Sequence, residues 1–62
     1  MTNPKSRQDI ERLQDALVRE GLGHIEVKEA DGVRKHAWLL GDYADILLAR
    51  KAFAGWRIDR AI

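Results

Sequence analysis

Asp31-Gly32 separates two stretches of alternating side chains, residues 25–30 and 33–40. An Asp-Gly pair favours the positive φ values of a two-residue type I′ turn, and alternation with period two is typical of strands. The pattern predicts a β-hairpin in the middle of the chain. Its expected register sets Ala30 opposite Val33, Val27 opposite His36, and Ile25 opposite Trp38. The face that carries Trp38 is then the better candidate for burial.

Helical periodicity flanks the hairpin. The first helix should start near Ser6 and end at Gly21 and Gly23, because glycine tolerates the left-handed backbone that ends helices. Gln14 falls inside the apolar arc of this helix, so it needs hydrogen-bond partners if it is buried. The second helix should follow Asp42 as its N-cap. The arc of the first helix contains Ile10, Leu13, Leu17 and Val18.

Gly55 is expected to end the second helix, and residues 56–62 alternate again. This alternation predicts a third strand, with a continued helix as the alternative. The result is an α+β module of order α-β-β-α-β, a short antiparallel sheet with two helices packed on one face. Residues 1–5 are expected to be a flexible tail and residues 6–62 a single domain. The predicted core consists of Ile10, Leu13, Leu17, Ile25, Val27, Trp38, Leu40, Ile46, Leu48, Phe53, Trp56 and Ile58.

Composition narrows the classes of protein that fit. The 62 residues include no cysteine, eleven basic and ten acidic side chains, and a net charge of +1. Disulfides and thiolate metal sites are therefore excluded, and long-range steering by charge is weak. No apolar run approaches the roughly 18 residues of a membrane-spanning helix, so we expect a cytoplasmic protein without a membrane span. A domain cut from a longer exported protein would have the same features.

The second helix carries more apolar surface than one buried face needs. Its expected outward side forms a continuous ridge, and aromatic and arginine side chains of this kind are enriched at protein interfaces. The alternative is that Leu47 fills an edge of the core while the basic side chains solvate the helix. We call this set the outward ridge: Tyr43, Leu47, Arg50, Lys51 and Ala54.

Nucleic-acid binding is an alternative function for this chain. The basic C-terminal third offers Arg50, Lys51, Arg57 and Arg60 as phosphate contacts, which makes a small nucleic-acid-binding protein the alternative reading. The overall charge is too close to neutral for a dedicated binder of this kind.

Catalytic and cofactor chemistry has little support. His24 and His36 fall on opposite faces of the predicted hairpin, and Asp42 and Asp45 suit the start of a helix better than a metal site. The sequence has no nucleophile elbow, phosphate-binding glycine loop or zinc-binding helix motif. We therefore expect no enzyme activity, no cofactor and no metal.

The element order, with Asp31-Gly32-Val33, then Leu40-Gly41, then Gly55-Trp-Arg-Ile, resembles the BON domain and related ring-building modules of bacterial secretion systems. The helix-hairpin-helix part is equally similar to a small phage head-completion protein. The BON resemblance implies a non-enzymatic module that oligomerises or binds a partner or a membrane surface. Here nine positions separate Gly32 from Gly41, several more than in the usual hairpin of those families.

These observations lead to one functional expectation. The chain should be a non-catalytic binding module, such as a small adaptor, an inhibitor or an assembly subunit. It would bind another protein, or a second copy of itself as a homodimer, through the outward ridge or through an exposed sheet edge.

Overall fold

The computed structural model describes residues 4–61 and confirms an α+β fold of order α-β-β-α-β. The first helix begins ahead of the expected start at Ser6, so Pro4 and Lys5 of the predicted tail are helical; residues 1–3 lie outside the described part. The third strand is confirmed over the helical alternative. The elements are α1 (Pro4–Arg19), β1 (Glu26–Asp31), β2 (His36–Leu40), α2 (Tyr43–Ala52) and β3 (Arg57–Arg60).

The three strands form one sheet in the order β1-β2-β3. The pair β1 and β2 is antiparallel, as expected of a hairpin. Strand β3 runs parallel to β2, so the sheet is mixed rather than wholly antiparallel. The physical reason is the length of the connection, because a ten-residue helix between β2 and β3 carries the chain back to the end from which β2 began.

The hairpin turn is longer than the Asp-Gly pair predicts. Asp31 ends β1, and its Oδ1 accepts hydrogen bonds from the N–H groups of Val33 (3.0 Å) and Arg34 (3.2 Å). Lys35, with φ of 55°, closes the loop in the left-handed region. An aspartate that bonds the backbone two and three residues ahead stabilises this wider loop. The predicted two-residue turn is therefore wrong.

The longer turn and a β-bulge change the register of the hairpin. Val27 pairs with Leu39 instead of His36, and Ala30 pairs with Ala37 instead of Val33. The partner of Ala30 moves by four positions, so Ala30 stays on the face of Ala37 and Leu39. Between Val27 and Glu29 the register shifts at a β-bulge, which brings Val27 onto the same face. The helices cover this face, so Ala37 and Leu39 are buried, whereas Trp38 and Leu40 lie on the opposite face.

Helix α1 ends as predicted, at Gly21. This residue has φ of +75°, its N–H donates to Val18 O, and the N–H of Leu22 donates to Leu17 O at 2.8 Å. These are the two bonds of a Schellman motif, whose usual hydrophobic contact buries the residue after the glycine. Leu22 is buried accordingly, although the sequence pattern did not place it in the core.

Both helices cover the same face of the sheet. The buried cluster contains Leu13, Leu17, Leu22, Ile25, Val27, Ala30, Ala37, Leu39, Ile46, Ala49 and Ile58, with Ile10, Phe53 and Trp56 packed against it. The predicted core residues Trp38, Leu40 and Leu48 are absent from this cluster. The core instead contains Leu39 and Ala37 of β2 and Ala49 of α2, and the small alanines let the helices approach the strands closely.

Candidate interaction surfaces

Helix α2 buries only a narrow strip. Ile46 and Ala49 are its buried residues, and three large apolar side chains remain open to solvent. Tyr43 is 60% exposed, Leu47 is 45% exposed and Leu48 is 51% exposed. Tyr43, Leu47, Arg50 and Lys51 of the outward ridge are exposed on α2, and Ala54 is exposed in the turn after the helix ends at Ala52.

The exposed part of α2 divides into two flanks. The Arg50 Nε donates to Ile58 O at 3.0 Å, which places one side of the helix above β3. At 100° per residue, Tyr43 and Leu47 lie on this side as well; we call Tyr43, Leu47 and Arg50 the β3 flank. Lys51 lies on the other flank, where Leu48, Lys51 and Ala52 face Glu20 and Leu22 across a shallow groove of about 380 Å³.

The outer edge of β1 is covered by α1. The side-chain amide of Gln14 donates from Nε2 to Ile25 O at 2.8 Å and accepts at Oε1 from the Val27 N–H at 3.1 Å. One side chain thus replaces a neighbouring strand at this edge. The Asp9 carboxylate accepts from the Gly32 N–H at 2.9 Å and extends the same contact to the turn. Gln14 is half-buried and has the partners that its position in the apolar arc required.

The outer edge of β3 is more open. The N–H groups of Arg57 and Ala61 donate to Lys35 O and Leu39 O, so these residues point toward β2. Backbone groups alternate in direction along a strand, so the N–H and C=O of Ile58 and Arg60 point away from the sheet. Among these outward groups, the Arg50 side chain covers the Ile58 carbonyl.

The face of the sheet opposite the helices carries a polar and aromatic cluster. The rings of His36 and Trp38 stack with centroids 3.9 Å apart. The His36 Nε2 lies 2.7 Å from Asp59 Oδ2, and the Arg57 Nε lies 3.8 Å from the same oxygen. This cluster was not predicted, because Trp38 was expected in the core. The available signal was the alternation of residues 56–62, which sets Arg57 and Asp59 on one face.

The hydrogen bond from His36 lowers the pKa of Asp59, and the charges of Arg57, His36 and Arg50 act in the same direction. A carboxyl whose pKa is lower in the folded chain stabilises the fold while it is ionised, above its ordinary pKa of 3.8. That contribution is lost as the pH falls through the lowered pKa of the folded state.

We therefore expect the stability advantage of the wild-type chain over Asp59→Asn to be constant near neutral pH and to shrink below pH 3.8. Urea midpoints measured by circular dichroism across this range test the expectation. The variant His36→Phe removes the hydrogen bond that chiefly lowers the pKa of Asp59. The stability difference between Asp59 and Asn should then depend less on pH in the acid range. A stability advantage of the wild-type chain that grew as the pH fell would contradict the lowered pKa of Asp59.

The four basic residues proposed for nucleic-acid contact do not form one surface. Arg50 and Arg60 donate from Nε to backbone carbonyls, of Ile58 and Gly41 respectively. Arg57 lies beside Asp59 on the opposite sheet face, and Lys51 lines the groove on the far flank of α2. These positions give the phosphate-binding alternative no support, and it stays a prediction.

The two histidines occupy separate places. His24 Nε2 lies 3.1 Å from Asp45 Oδ2 near the start of α2, whereas His36 belongs to the sheet cluster. Asp42 occupies the N-cap position, but its side chain makes no cap hydrogen bond. Within residues 4–61, no three histidine or carboxylate side chains gather as a metal site would require.

Comparisons with known proteins return no family model, no curated protein and no solved structure that matches this chain. The resemblance to BON domains therefore stays an expectation. In the described part of the chain, neither helix combines the length and apolar character needed to cross a membrane.

Proposed function

We propose that this protein is a non-catalytic protein-binding module and that the outward ridge of α2 is its contact surface. The observation that carries the proposal is the exposure of Tyr43 and Leu47 on a helix of ten residues. Each of these side chains gains about 25 cal/mol for every Å² of apolar surface that a partner covers. We also propose that the protein is cytoplasmic.

The spacing of the exposed residues favours a partner that receives a helix. Tyr43 and Leu47 are four positions apart, and Arg50 and Lys51 follow one turn later. Apolar anchors at such spacing, with basic groups beside them, suit a groove that takes one side of a helix. An interface of standard size takes about 800 Å² from each partner, a substantial share of the 4579 Å² that this chain exposes. The contact would therefore extend beyond α2 to neighbouring elements.

A photocrosslinking experiment tests the proposal. Tyr43 is replaced by the photoreactive p-benzoylphenylalanine, the full chain is irradiated in the cells that produce it, and adducts are identified by mass spectrometry. We expect one or a few defined protein adducts. Adding Leu47→Glu should lower their yield about tenfold, because it removes a buried leucine and places a charge in the contact.

The matched control is Leu40→Glu. Leu40 is 44% exposed, close to the 45% of Leu47, and it lies on the opposite face of the sheet. This control should leave the adduct yield within about twofold of the parent. Equal losses from both substitutions, or adducts that do not respond to Leu47→Glu, would refute the ridge as the contact surface.

A further inference from the structure

The two edges of the sheet differ in how they are protected. The β1 edge is covered by Gln14 and Asp9 of α1, which bond its backbone. The β3 edge has outward N–H groups at Ile58 and Arg60, and one arginine side chain lies against it. Unpaired edge groups are a template for pairing with another strand, and proteins blunt the edges that they do not use. The β3 edge is therefore the one available for association.

The sequence of β3 is complementary to itself when it is paired about a two-fold axis. If Ile58 lies opposite Ile58 of a second copy in antiparallel pairing, their outward N–H and C=O groups exchange two hydrogen bonds. Arg57 of each copy then lies opposite Asp59 of the other. Both residues are on the open face, in the type of cross-strand pair whose side chains approach most closely.

The charges of Arg57 and Asp59 favour pairing about Ile58 over shifted pairings of the two strands. Arg57 and Asp59 are already close within one copy, with Nε and Oδ2 3.8 Å apart. Pairing about Ile58 arranges two arginines and two aspartates as a square of alternating charges. A shift of two residues keeps the same faces together but sets Arg57 opposite Arg57, or Asp59 opposite Asp59, of the second copy, so like charges would meet.

The exposed helix surface lies on the same side of the molecule. Arg50 reaches the outward carbonyl of Ile58, so the β3 flank of α2 stands directly above the open edge. Joining two β3 edges about a two-fold axis brings the two β3 flanks side by side. Tyr43 and Leu47 of each copy would then cover one another, which accounts for apolar groups that the monomer leaves in solvent.

We infer that this protein forms a two-fold homodimer in which β3 pairs with β3 of a second copy and the two α2 helices pack over the junction. The inference rests on the proposed function, since it names the partner of the same ridge. It yields one six-stranded sheet with four helices on one face. A two-fold contact of this kind is closed, so association stops at the dimer. In the dimer the Arg50 side chain must release the Ile58 carbonyl. In the monomer it therefore shields this part of the β3 edge.

Sedimentation velocity of the full chain, from about 10 µM to about 1 mM at low salt, tests the inference. We expect a concentration-dependent shift from monomer to dimer without larger species. Arg57→Asp and Asp59→Arg each set like charges opposite one another at two symmetric places. Each should raise the dissociation constant about tenfold. The double variant restores alternating charges and should return the constant to within about threefold of the wild type.

Two further measurements separate this mechanism from loss of folding. Thermal unfolding followed by circular dichroism identifies any variant whose monomer has lost its fold, and Arg12→Asp on α1 controls for a change in net charge. The amide hydrogen of Ile58 should exchange more slowly at about 1 mM than at about 10 µM, because it is paired in the dimer alone. The amide hydrogen of Gly55, outside the strand pairing, should not respond.

The outcomes separate the inference from the function on which it rests. A chain that stays monomeric throughout, or a dimer that ignores both charge reversals, overturns the β3 pairing. So does a double variant that dissociates as readily as the single ones. If the Tyr43 probe still captures a different protein in a manner that depends on Leu47, the binding function survives without the homodimer. If the probe captures nothing and the chain is monomeric, both fail.

Discussion

Leu39→Ala should lower the free energy of unfolding by about 2–5 kcal/mol, the range observed when a buried leucine leaves a cavity. Leu39 lies in the central strand, is fully buried, and pairs with Val27 on one side and Arg60 on the other. A domain of 62 residues is stable by about 3–9 kcal/mol in total. The substitution should therefore remove about half of the total stability, which a urea titration at room temperature measures as a much lower midpoint.

The neighbouring leucine provides the control. Leu40 has the same chemistry and lies on the open face of the sheet, 44% exposed. Leu40→Ala should cost less than about 1 kcal/mol, since a large part of its side chain stays in water in the folded chain. The two variants together test which face of the sheet is buried. Burial of the Trp38 face, which the sequence pattern predicts, would reverse the order, and a larger loss for Leu40→Ala would show that the helices cover that face instead.

Gln14→Leu should lower the free energy of unfolding by about 1–3 kcal/mol, although it adds apolar surface to an apolar arc. The cause is the backbone of β1. Ile25 O and Val27 N–H each lose their bond to the Gln14 amide, at a place that is only partly open to water. The uncovered β1 edge should also make the variant prone to aggregate. Urea titration and light scattering measure the two effects.

Gln8→Leu is the matched control for this prediction. Gln8 lies on the exposed side of the same helix, so its replacement should change stability by no more than about 0.5 kcal/mol. Its aggregation should match the wild type. A Gln14→Leu variant as stable as the wild type would show that water replaces the amide at no cost, and the proposed protection of the β1 edge would then be unsupported.

Much of the fold could be predicted because its signals are local. The end of α1 at Gly21 is required by the positive φ of that residue and the two bonds that follow it. The third strand was visible in the alternation around Ile58, which is buried as that pattern predicts. The exposed side of α2 could likewise be predicted, since Tyr43 and Leu47 lie outside any arc that Ile46 and Ala49 can bury.

The errors share one origin, which is competition between local preference and distant contacts. Asp31-Gly32 is a good two-residue turn in isolation, but here Asp31 binds the N–H groups of Val33 and Arg34, and Gly32 donates to Asp9 in α1. The contact with Asp9 spans 23 positions, and no local pattern reveals it. Leu48 was misplaced for a similar reason, because α1 ends before it can cover that flank of α2 and leaves the groove beside Leu22.

Periodicity, glycine positions and turn chemistry were enough to specify the kinds of elements, their order, and which helix keeps apolar groups in water. Packing of the two helices on one face of the sheet selected Leu39 over Trp38 for the core, and a β-bulge placed Val27 on the same face. The same packing covered one sheet edge and left β3 open. The reason is physical: turn and helix preferences depend on neighbours along the chain, whereas a strand face is chosen by the burial that residues far away in sequence provide.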